Sequence, residues 1–170
     1  MREDAQGRPL YDQVCSAMDF AAELKSHFDF ITCVPDSIYK EVLPHLPGWE
    51  LAPRENHAIA MAFGARLAGK APVVLMQNSG IGLALDALFG TFELYGQGCL
   101  VVISNRGQLP WEEIQHHHWG EVTEDILVSC KIQVYKFHEI GLAGIDDIAR
   151  QVINENKVIM LTVQRGNLNE

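Results

Sequence analysis

Glu55 is the first residue of this sequence whose type calls for a chemical explanation. It stands in the stretch PRENHAIAMAFGA (residues 53–65), where nearly everything after Asn56 and His57 is small or apolar. A carboxylate there has two readings. It is either an acid of a first helical turn, favoured by the partial positive charge of a helix N-terminus, or a group kept among apolar neighbours to exchange a proton. Four other stretches carry groups of comparable interest: Asp36-Ser37 after Val34-Pro35, Asn78-Ser79-Gly80 after Gln77, Arg106 after Ser104-Asn105, and Gln115 ahead of His116, His117 and His118. Consecutive histidine side chains diverge, and metal ligands on a helix usually lie about three to five residues apart, so the spacing disfavours a metal site. A solvated loop run and proton transfer by imidazole remain open for them. Asp36 reads equally well as a helix cap, and Arg106 as a solvated arginine.

Several common sites are absent. Gly80-x-Gly82 lacks the third glycine and the later ribose-binding acid of a dinucleotide fingerprint, and no phosphate loop ending in Gly-Lys-Ser/Thr occurs. Ser79 and Ser104 lack the setting of a nucleophile elbow.

The elements that position these groups alternate in period. Helical spacing is read over Val14–His27, from Ser37 to about Leu46, over Asn56–Ala68, from Gly80 to about Tyr95, from Thr123 to Cys130 and over Leu142–Asn156. Between them lie strand candidates at Phe28–Val34, Glu50–Pro53, Ala71–Met76, Cys99–Ser104, Gln133–Phe137 and Val158–Val163, with a long loop from Asn105 to Val122. Most of these strands are apolar throughout rather than at alternate positions. They predict a mostly parallel sheet of about six strands between two layers of helices, a three-layer α/β/α fold. Ligands of such sheets bind beyond the carboxyl ends of the strands, and the polar stretches above all follow strands.

Composition narrows the function further. The 170 residues, 48% hydrophobic and 21% charged, suit one globular domain, with residues 1–13 as a polar N-terminal extension. A net charge of −9 argues against nucleic acid and anionic membrane surfaces as partners. Cys15, Cys33, Cys99 and Cys130 form no C-x-x-C pair and read as reduced thiols. No signal-peptide core and no span-length apolar run is present, so a cytoplasmic protein is expected.

Four segments together carry a resemblance: Val34-Pro35-Asp36-Ser37, Arg54-Glu55 before the alanine-rich helix, Leu75-Met76-Gln77-Asn78-Ser79-Gly80-Ile81-Gly82, and Gln115-His116-x-x-x-Gly120-x-x-Thr123. In that order they resemble the pyrimidine-binding domain of thiamine-diphosphate decarboxylases, in the branch of sulfopyruvate and phosphonopyruvate decarboxylases. The likeness runs from about Ala17 to the C-terminus.

The resemblance implies that Glu55 hydrogen-bonds N1′ of the cofactor's aminopyrimidine ring, with Asn78, Ser79 and Gly80 also on the cofactor. It implies catalytic roles for Asp36 and His116, and a place for Asp36, Gln115 and His116 at the substrate. Arg106 is the candidate for a sulfonate or phosphonate. His117-His118-x-Gly is similar to the His-His pair of simple pyruvate decarboxylases, so His117 is a second register. No Gly-Asp-Gly occurs, and Asp86, Asp125, Asp146 and Asp147 have no comparable setting. The diphosphate and Mg²⁺ are therefore expected on a separate β-type chain, within a larger hetero-oligomer, with this chain as the α-type subunit and no metal of its own. The substrate implied is a small 2-oxo acid. Another 2-oxo acid, or a non-catalytic assembly or regulatory role, is the alternative. Two departures bear on the substrate: Asn56-His57 after Glu55, and Leu83-Ala84 where a polar pair is the pattern.

Overall fold

Cys99–Ser104 and Val158–Val163 have no polar face to turn toward water, and every residue of both is buried. The computed structural model describes residues 14–169 together with the backbone of Arg2–Glu3 and Pro9–Leu10, which pair antiparallel. The N-terminal extension read over residues 1–13 otherwise lies outside the described residues. The main sheet is built from β1 (Phe30–Cys33), β2 (Glu50–Leu51), β3 (Pro72–Gln77), β4 (Cys99–Ser104), β5 (Gln133–Lys136) and β6 (Val158–Val163). Its order is β2-β1-β3-β4-β6-β5, and each adjacent pair is parallel.

Successive side chains on a strand point to opposite faces, and the core divides accordingly. Val73, Leu75, Leu100 and Val102 face α1 (Ala17–His27) and α6 (Ala143–Asn154), where Phe20, Leu24, Ile148 and Val152 meet them. Val74, Met76, Val101 and Ile103 face the other layer, from α2 (Glu55–Leu67), α3 (Ile81–Leu88) and α4 (Ile114–Ser129). A short α5 (Phe137–Ile140) completes the helices. Beyond Leu88 the chain widens into a π-helical turn, Phe89–Glu93. The α1 start is fixed by Ser16, whose Oγ accepts from Asp19 N–H at 3.0 Å. No described helix is long and apolar enough to cross a membrane.

Two expectations fail. The helix read from Ser37 to Leu46 is a series of turns with a single 3₁₀ turn, Leu43–His45. Pro44 and Pro47 offer no N–H and restrict the residues before them, so a helix cannot continue there. The loop read from Asn105 to Val122 is half helix: α4 starts at Ile114, ahead of the three histidines. Gly120 looks like a helix breaker, but it is there for space. A Cβ on it would strike the Gly107 backbone, and one on Gly107 (φ +87°) would strike the His116 carbonyl. Loop and helix are thus in backbone contact. Gly120→Ala is expected to cost about 1–3 kcal/mol by overpacking this contact, read as a lower urea midpoint with an unchanged slope.

Candidate functional site

The sheet order reverses direction between β1 and β3, since the chain leaves β1 toward one edge and β3 toward the other. Beyond the strand ends at such a point a crevice opens. After β1 the turn is fixed twice. Asp36 Oδ1 accepts from Ile38 N–H at 2.9 Å, and the fully buried Tyr39 donates its hydroxyl to the Val102 carbonyl at 3.0 Å and the Met76 carbonyl at 3.2 Å. Asp36 therefore caps a turn rather than a helix.

Arg106, after β4, is 3% exposed rather than solvated. Its Nε donates to Glu112 at 2.8 Å and its Nη2 to Glu113 at 2.8 Å. Its Nη1 reaches Ser37 Oγ at 2.8 Å and Asp36 Oδ2 at 3.3 Å. Burial works against the guanidinium charge, but the Glu112 hydrogen bond and the fields of all three carboxylates outweigh it and push its pKa up. The second oxygen of Glu112 accepts from the backbone N–H groups of Gly107, Gln108 and Leu109 at 2.8, 3.0 and 3.2 Å. Glu112 and Arg106 thereby join the loop after β4 to the Asp36 turn and to the start of α4.

Glu55, four residues after β2, opens α2. Its carboxylate is partly buried and makes no hydrogen bond or ion pair with any described residue. It lies against Gly80: a Cβ there would collide with Glu55 Cγ, Cδ and Oε1. Only glycine leaves that space. Asn78 is buried beneath, its Nδ2 within reach of the Arg106 carbonyl (2.8 Å), Asn105 Oδ1 (3.1 Å) and Thr123 Oγ1 (3.2 Å). It braces the turn that carries Ser79 and Gly80. Ser79 is exposed and donates to Gln77 Oε1 at 2.9 Å, while Gln77 Nε2 is 3.2 Å from His116 Nδ1.

The histidines part company on α4. His116 turns toward Gln77, and its Nε2 is 3.8 Å from Glu113. His117 donates to the Glu112 carbonyl at 3.0 Å and lines a different cleft of about 360 Å³ with Gly107, Leu109 and Pro110. Gln115 and His118 are exposed. A second cleft of about 320 Å³ is lined by Ser37, Lys40 and Arg165 among others. Neither of these two clefts is lined by Glu55, Gly80 or His116. Among the described residues, no group of three or more His, Cys, Asp or Glu is gathered to hold a metal.

No family model matches the chain. It is similar to sulfopyruvate decarboxylase subunit alpha of Methanocaldococcus jannaschii, 34% identical over 120 residues that cover 65% of this chain and 69% of that protein. The subunit of the same name from Methanococcus maripaludis is 31% identical over 125 residues, covering 68% of this chain and 72% of the relative. This chain belongs to the sulfopyruvate decarboxylase α-subunit family. The fold agrees with that assignment. Benzoylformate decarboxylase from Polynucleobacter necessarius superposes with a TM-score of 0.72 at 14% identity, over 92% of this chain and 31% of that chain.

For a member of the sulfopyruvate decarboxylase α-subunit family, the residues brought together are Asp36, Arg106 and His116 through Glu113, and Glu55 with Gly80. Reading the sequence missed Glu112, Glu113 and the part played by Gln77. The acidic pair six and seven positions after Arg106 was the available signal for the first two. Of the departures, His57 is exposed with its N–H bonded to Asn56 Oδ1 at 3.0 Å, and Leu83 is 40% exposed.

Proposed function

We propose that this chain is the α subunit of a two-chain, thiamine-diphosphate-dependent decarboxylase of small acidic 2-oxo acids, sulfopyruvate ahead of phosphonopyruvate. One observation carries the reading: the Glu55 carboxylate, bonded to no other described residue, is held against Gly80. A partly buried carboxylate without a donor suits a ring nitrogen that can share a proton with it. Glu55 would exchange that proton at N1′ of the aminopyrimidine, with the Ser79–Gly80 backbone alongside and Asn78 bracing it from below. When bound, thiamine diphosphate supplies the electron sink for the carbon–carbon bond that breaks. Asp36 and His116 are the groups of this chain offered to the substrate. Arg106 serves it through Asp36 and Ser37, which it holds, and Gln115 lies at the exposed edge. His117 is committed to the Glu112 carbonyl, which favours His116 of the two registers.

The diphosphate and Mg²⁺ are assigned to a β-type partner, in a hetero-oligomer of the cytoplasm. Two features support a missing wall. Glu55, Gly80 and His116 line neither cleft, and α2 and α3 present glycines to open space. A Cβ at Gly64 or Gly82 would meet nothing within 4 Å, and the same holds for Gly90 beyond α3. Helical glycine costs about 1 kcal/mol relative to alanine, and nothing among the described residues requires it at these positions. Leu83 and Phe89 are exposed beside them. Asn56-His57 and Leu83-Ala84 favour, as a second reading, a different 2-oxo acid for the same chemistry.

With its partner, thiamine diphosphate and Mg²⁺, the chain is expected to release CO₂ from sulfopyruvate. Alone it should bind the cofactor more weakly than about micromolar, by calorimetry, and turn nothing over. Micromolar or tighter binding by the isolated chain would overturn the two-chain arrangement. Release from none of a broad set of 2-oxo acids would leave a non-catalytic assembly role.

A further inference from the structure

We propose that Gln77 is a positioning residue that fixes which nitrogen of His116 carries the proton. Gln77 is the last residue of β3, so its side chain is anchored by the sheet rather than by a loop. Ser79 Oγ donates to its Oε1 at 2.9 Å, which turns the amide NH₂ toward His116 Nδ1, 3.2 Å away. The other ring nitrogen, Nε2, lies 3.8 Å from Glu113 Oε2. That carboxylate accepts only: its own backbone N–H and the charges of Arg106 and Arg165 hold it ionised, with its pKa lowered. Nδ1 is thus met by a donor and Nε2 faces an acceptor, which selects the tautomer with the proton on Nε2. An amide turned over could serve the opposite tautomer, but the Nε2 lone pair would then point at a carboxylate.

The consequence rests on the function proposed above for His116. A neutral imidazole held in this tautomer offers its Nε2–H, so it donates a proton or hydrogen bond to an oxygen of the bound 2-oxo acid. It does not act there as the base. The same Glu113 oxygen accepts from Arg106, so hydrogen bonds run from Ser79 through Gln77 to His116 and from Glu113 through Arg106 to Asp36, and the two runs face each other across the 3.8 Å between His116 Nε2 and Glu113. Each run holds one of the two candidate substrate groups.

The test uses the full chain with ¹⁵N-labelled histidine at about pH 8, where an ordinary imidazole is neutral. Long-range proton–nitrogen correlations report the tautomer, and the His116 signals are assigned by their loss in His116→Gln. The wild type should show His116 protonated on Nε2, and Gln77→Leu a mixture of the two tautomers. A wild-type ring protonated on Nδ1, or one unmoved by Gln77→Leu, would overturn the proposal. The wild-type spectrum decides this even if a variant folds poorly. In the two-chain enzyme, Gln77→Leu should lower kcat about tenfold with KM little changed. If the tautomer moves and kcat does not, the positioning role stands and His116 loses its part in turnover.

Discussion

Replacing Glu55 with glutamine is expected to lower turnover of the complete two-chain enzyme by about two powers of ten or more, the scale of lost acid–base catalysis. The amide keeps the shape of the carboxylate but cannot exchange a proton. Folding should hardly change. Glu55 bonds to no described residue, so the loss is confined to a helix-start charge worth less than about 1 kcal/mol. Gly80→Ala should reach the same defect by another route, because the added methyl takes the space of the Glu55 side chain and turns its carboxylate away. Thermal melts and steady-state kinetics on both variants separate the outcomes. A Glu55→Gln enzyme that decarboxylates at near the wild-type rate would return Glu55 to being an acid of a first helical turn.

The largest effect on stability is expected at Arg106. Asp36, Arg106 and Glu112 have side chains 8%, 4% and 1% exposed, so Arg106→Met leaves two carboxylates buried without their cation. Such a loss costs about 3–5 kcal/mol. Arg106→Lys should lie between, since an ammonium keeps the charge but cannot span Glu112, Glu113 and Ser37 with a planar fork. Urea unfolding of the isolated chain measures both. Were Arg106 an outward-facing ligand for a sulfonate, Arg106→Met would instead cost under about 1 kcal/mol and act on KM.

The layers of this fold were legible because apolar strands such as Cys99–Ser104 announce burial on both faces, and all six strand candidates form the sheet. Local residue choices misled where a distant contact decided. Asp36-Ser37 looks like a helix cap, but Pro44 and Pro47 hold the segment up to β2 to turns. Gly120 looks like a helix stop, and only the packing of Gly107 against it explains a glycine inside α4. Asp36 could not be paired with Arg106 from sequence, since it lies 70 positions away. Glu55 stood out beforehand because a carboxylate among small apolar residues is a local anomaly. The space for it, at Gly80, comes from a different element.

An all-parallel sheet has a bearing on how the chain folds. No adjacent pair in it can form as a hairpin, so every strand–strand contact waits for a crossover, and pairings of this kind are slow to nucleate. Asp36, Gln77 and Arg106 come from the ends of three such strands. They converge only after β1, β3 and β4 are all in register. A partly folded chain would therefore carry no partial site. The rate at which competence appears on refolding is the rate at which the central sheet closes, and until then the apolar faces of β4 are exposed to self-association.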